Sequence, residues 1–183
     1  MLVVCLLAVT GCGGPNVNTF INQEADLDYY ERVGVVPFRT LTADRFAGEK
    51  FTVEFNTSLY VSGLFDVVDQ GIFVNALTQV AGSRSPVNGL DTQQLLKIGE
   101  ATGVQGVFEG TVSAYEMQAY GTERFPVISV EARLVDVATG RVVWSGTVTE
   151  RGGPKTPIIG MGETRTLGAL SQKVSQRLLD ELD

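Results

Sequence analysis

The chain has 183 residues, with 14 Lys and Arg against 21 Asp and Glu, two cysteines and no histidine. Without histidine it has no Ser-His or Cys-His nucleophile pair and no HExxH zinc site, and a net charge of -7 opposes nucleic-acid binding, which needs a basic stripe to displace counterions. Hydrophobic residues make up 44% of the chain, enough for a real core in one domain.

Leu2 to Val9 is an apolar run far shorter than the roughly 20 residues of a spanning helix, and it has the length of a signal-peptide core. It ends in Val9-Thr10-Gly11-Cys12, which resembles the bacterial lipobox, where small residues precede a cysteine that is diacylated on sulfur. Residues 1–11 are therefore expected to be a lipoprotein signal peptide, and Cys12 the lipid-bearing first residue of the mature chain. The other reading of Cys12 is an incidental cysteine beside a buried helix. No Lys or Arg precedes the run, which is expected if the start lies upstream of Met1. Cys5 would leave with the signal peptide, so no disulfide is expected within the chain. Two or more acyl chains, at about 0.8 kcal/mol per buried methylene, give stable anchoring. Gly13 rather than aspartate after the cysteine resembles the outer-membrane sorting signal, which implies an outer-membrane anchor and a periplasmic domain.

Residues 12–31 are expected to be a lipidated tether, because Gly13 to Asn18 has no periodicity and Glu24, Asp26, Asp28 and Glu31 precede the first base. The folded domain is expected over 32–183. Val33 to Phe38 reads as a buried strand closed by Pro37. A helix follows over Asp44 to Val61, with Phe51, Phe55 and Leu59 on one face and Gly63 as its stop. Leu64 to Asp69 reads as a second strand and Gly71 to Val80 as a short helix. Asp91, with Gln94 three residues on, has the capping-box pattern and opens a helix that Gly103 ends.

Three strands come next. Val104 to about Gln118 is the first. The second alternates, with Ile128, Val130, Ala132 and Leu134 on one face and Ser129, Glu131 and Arg133 on the other. The third puts Val142, Trp144 and Val148 on one face. A last helix over Glu163 to Leu182 carries a stripe of Leu167, Leu170, Val174 and Leu178. This order predicts one α/β (α+β) domain: a mixed sheet whose late strands are antiparallel, with helices packed on it.

Few residues invite chemistry. Gly152 to Thr156 lacks the glycine spacing of a phosphate loop, and Pro154 removes an N–H that would cradle phosphate. Glu109, Glu116, Glu131 and Asp136 lie on predicted strands, and a solvated sheet face accounts for them better than an acid–base pair. No metal set and no cofactor is expected beyond the covalent lipid. Ile158, Ile159 and Met161 lie in a Gly/Pro-rich loop, where an apolar cluster could meet a partner or fold back over the sheet edge.

Four blocks in order resemble the CsgG-like and LpoB-like bacterial lipoproteins: Val33 to Phe38, Gly63 to Asp69, Ile98 to Val112, and Val135 to Trp144. The resemblance implies the fold shared with the N-terminal domain of TolB, and a non-enzymatic role in cell-envelope assembly or regulation through contacts with other envelope proteins. It also implies a possible homo-oligomer. The connection Tyr120 to Pro126 is too short for the membrane hairpins of the CsgG pore, whose strands need about 9–11 residues each. A subunit of a CsgG-type secretion complex is the alternative, and a carboxylate-based envelope hydrolase a remote one.

Overall fold

The computed structural model describes residues 16–86, 89–153 and 164–182. Its elements are β1 (Asn16–Ile21), β2 (Arg32–Val35), β3 (Arg39–Thr40), α1 (Ala47–Ser62), β4 (Asp66–Val67), α2 (Gln70–Ala81), α3 (Thr92–Thr102), β5 (Gly106–Tyr120), β6 (Glu123–Asp136), β7 (Val142–Arg151) and α4 (Leu167–Asp180). The strands form one mixed sheet in the order β1-β7-β6-β5-β2-β4, with β3 also on β5. Pairings among β1, β7, β6 and β5 are antiparallel, while β2 lies parallel to both β5 and β4.

The sheet separates two apolar layers. On one face α1 and α4 pack over β5, β6 and β7, burying Phe51, Phe55, Leu170, Val174 and Leu178 against Phe108, Ile128, Leu134 and Trp144. The i, i+4, i+8 stripe of α1 is fully buried, as its spacing predicts. Edge-to-face rings run through this layer from Phe38 to Phe55 at 5.2 Å, Phe55 to Phe108 at 5.4 Å and Phe108 to Trp144 at 6.2 Å. On the other face α2 and α3 bury Phe73, Leu77, Leu95 and Ile98 against Val36, Val107 and Val135.

Local chemistry sets the helix ends. Asp91 accepts from the Gln94 backbone N–H at 2.8 Å while the Gln94 side chain accepts from the Asp91 N–H at 3.0 Å, a completed capping box. Gly63 and Gly103 end α1 and α3 at φ of 66° and 73°, a conformation that costs glycine nothing. Gly34 serves close approach instead: a Cβ there would fall 2.0 Å from the Phe73 ring.

Two expectations need correction. Residues ahead of Arg32, from Asn16 on, already belong to the described fold. β1 pairs along β7 from Asn16 opposite Thr149 to Ile21 opposite Trp144, and a turn of 3-10 helix over Leu27–Tyr29, capped by Asp26, leads into β2. β1 supplies the ladder partners that β7 would otherwise lack, so residues 16–31 are part of the domain and not tether. Val142 does not share a face with Trp144. The β6–β7 register shifts between Leu134 and Val135, so Leu134 pairs with Trp144 but Val135 with Val142. The bulge puts Val143 beside Trp144 in one layer and turns Val142 toward the other.

Candidate functional site

Cys12, Ile158, Ile159 and Met161, the residues singled out in the sequence, lie outside the described residues. The acidic residues of the late strands are placed. Glu109 is buried and accepts from Arg133 Nε at 2.8 Å. Asp136 is buried and accepts from Tyr30 Oη at 3.1 Å and from the Thr139 N–H and hydroxyl at 2.6 and 2.7 Å. Glu116 accepts from Gln118 Nε2, and Glu131 is exposed. Glu109 and Glu131 do line one cleft with Arg133. Its volume of about 40 Å³ takes a few waters but no sugar ring. Among the described residues no group of three or more His, Cys, Asp or Glu could hold a metal.

A larger concavity lies where β2 ends. It measures about 790 Å³ and runs between α1 and α2, lined also by Pro37, Phe38, Arg39 and Thr40 and by Arg84 and Ser85. This is the carboxyl end of parallel strands, the place where open α/β sheets take ligands. The order of elements creates it: α1 follows β3 and packs on one face, α2 follows β4 and packs on the other, and the concavity lies between them.

Hydrogen bonds tie its framework together. Thr52 Oγ1 accepts from the Phe38 N–H at 2.8 Å and donates to the Gly48 carbonyl at 2.7 Å, joining α1 to Phe38. Gln70 on α2 donates to the Val35 carbonyl at 3.3 Å and accepts from Asn56 Nδ2 at 3.1 Å, joining the two helices. Ser85 Oγ donates to the Pro37 carbonyl at 3.1 Å, which seats the loop that carries Arg84.

The lining is mixed in polarity and basic in charge. Val53 and Val74 supply apolar walls, Gln70 and Asn75 amides, and Arg39, Arg45 and Arg84 three guanidinium groups against the carboxylate of Glu49. Arg39 Nη2 donates to Thr111 Oγ1 at 2.9 Å, and Arg45 lies 4.5 Å from the centre of the Phe46 ring. Nearby, the Lys50 ammonium holds the Asp44 carboxyl below its usual range through a 2.7 Å hydrogen bond, so these two charges cancel locally. Sequence reasoning missed the groove because its arginines are 45 positions apart at the extremes, one on β3 and two in separate loops, and form no motif.

By architecture the chain is a mixed-sheet α/β domain with helices on both faces. It belongs to the peptidoglycan-synthase activator LpoB family, whose sequence model matches residues 13–149. Among solved structures it is similar to the PelC dodecamer from Paraburkholderia phytofirmans, with a TM-score of 0.64 and 20% identity over 92% of this chain and 97% of that one. It is also similar to lipoprotein GNA1162 from Neisseria meningitidis, at TM-score 0.58 and 21% identity over 81% and 98% of the two chains. For E. coli LpoB the TM-score is 0.51 and the identity 16%, over 67% and 58%. At these identities the structural likenesses establish the fold. No match was found among curated proteins. The family match bears out the LpoB side of the resemblance; it does not show the CsgG and TolB side.

Proposed function

We propose that the chain is a periplasmic lipoprotein, anchored in the outer membrane through acyl chains on Cys12, that stimulates a peptidoglycan synthase by binding it rather than by catalysis. The observation that carries this reading is the match to the synthase-activator family over residues 13–149. The corrected start of the fold changes the reach of the anchor. Cys12 stands four residues before Asn16, where β1 begins, so an extended chain places the lipid at most about 14 Å from the domain. The partner then has to approach the membrane, or be long enough to reach it. Ile158, Ile159 and Met161 are proposed, on sequence alone, as a further contact for that partner.

The reading is tested by cross-linking native membranes and capturing the lipidated chain. Recovery together with a peptidoglycan synthase is expected; recovery of the chain alone would count against it. A second reading, assembly into a ring, has one observation in its favour, the fold shared with a dodecameric protein. It predicts high-mass rings in detergent extracts, and strictly monomeric behaviour would dispose of it.

A further inference from the structure

We propose that the groove between α1 and α2 binds an extended acidic peptide segment of the partner protein, whose carboxylates are held by Arg45 and Arg84. The inference rests on the reading of the chain as a protein-binding regulator and names the chemistry of the contact.

Charge is the first argument. The chain carries a net charge of -7, yet Arg45 and Arg84 line one concavity with a single carboxylate, Glu49, among its lining residues, beside Arg39, whose guanidinium is held by Thr111. Arg133, Arg141 and Arg177 each face a carboxylate within the fold, at 2.6, 3.0 and 2.7 Å. Arg45 and Arg84 form no such pair among the described residues and are exposed. Planar guanidinium forks suit carboxylates, which they grip through paired N–H donors.

Shape and polarity supply the second. At about 790 Å³ the groove falls in the range of sites that enclose a ligand, roughly 300–1,000 Å³. Its walls combine apolar Val53 and Val74 with the amides of Gln70 and Asn75, a mixture that matches a peptide backbone and its side chains. A small anion would leave the apolar walls unused. A bilayer of anionic lipid is disfavoured because a flat surface cannot enter a groove between two helices.

The test uses the chain in detergent and a labelled ten-residue peptide alternating Glu with Val and Ser, beside its Gln counterpart. The Glu peptide is expected to bind and the Gln peptide to bind at least about tenfold more weakly. Reversing the charge at Arg45→Glu and Arg84→Glu together should weaken the Glu peptide at least about tenfold and flatten its salt dependence. Val53→Glu, at a position already 62% exposed, places a negative charge in the groove with no folding burden and should act in the same direction. Equal binding of the two peptides, no binding of either, or unchanged affinity in the variants overturns the proposal. So does indifference to peptide combined with binding to phosphatidylglycerol vesicles. If a synthase is captured and stimulated equally by the charge-reversed chain, the groove proposal fails and the functional reading stands. If the peptide binds as expected but no synthase is captured, the functional reading fails instead.

Discussion

Tyr30 Oη donates a 3.1 Å hydrogen bond to Asp136 Oδ2 across 106 residues of sequence, joining the entry to β2 to the turn that leaves β6. Both side chains are buried. The phenol is pushed up to about 12, first by burial and then by the hydrogen bond and charge of Asp136. A raised acid keeps its proton longer folded than unfolded, so its stabilisation is complete below its ordinary value near 10 and is lost as pH climbs from there to about 12. Tyr30→Phe should cost about 1–2 kcal/mol at neutral pH by leaving Asp136 short of a donor. The difference between wild type and variant should shrink above pH 10. Urea unfolding of both proteins across pH 8 to 12 checks this; a constant difference would separate Tyr30 from the pH dependence.

Gly34 and Phe73 form a matched pair. Gly34→Ala should destabilise by about 1–3 kcal/mol, since the new methyl enters the Phe73 ring. Adding Phe73→Leu to Gly34→Ala should recover part of that loss. A double-mutant cycle measures the coupling, which should be clearly non-zero, whereas strict additivity would mean the cost of Gly34→Ala does not arise from the Phe73 ring.

Glu150 holds α4 to the sheet. Its carboxylate is almost fully buried, contacts Lys173 Nζ, and lies 2.7 Å from Arg177 Nε. Glu150→Gln should cost about 1–2 kcal/mol, below the full loss for a buried pair because Lys173 and Arg177 are 45% and 31% exposed and can turn to water. The expected signature is a lower urea midpoint with an unchanged slope.

Much of this architecture is legible in local spacing. The stripe of Phe51, Phe55 and Leu59, the Asp91–Gln94 box and the alternation from Ile128 to Leu134 each follow from one element's own periodicity, and each matches the fold. Three features escape such a reading for different reasons. β1 is an edge strand rich in Asn and Thr, whose order comes from the ladder of β7 and not from its own pattern. Val142 changes face because a bulge breaks the period of two, and nothing in Val142-Val143-Trp144 announces it. The groove brings together Arg39, Arg45 and Arg84 from a strand and two loops, so only the tertiary arrangement makes them line one concavity.

The anchor makes its own prediction. Cys12→Ser should move the chain from the membrane pellet to the soluble fraction, because stable attachment needs more than one acyl chain and the described residues contain no helix long and apolar enough to cross a membrane. Continued sedimentation with membranes would remove Cys12 from the account.

The most direct measurement is the rate at which a purified peptidoglycan synthase polymerises and cross-links glycan strands in detergent, with and without stoichiometric amounts of this chain. The account predicts a faster rate that saturates with added chain. A rate that stays the same at every ratio would contradict it.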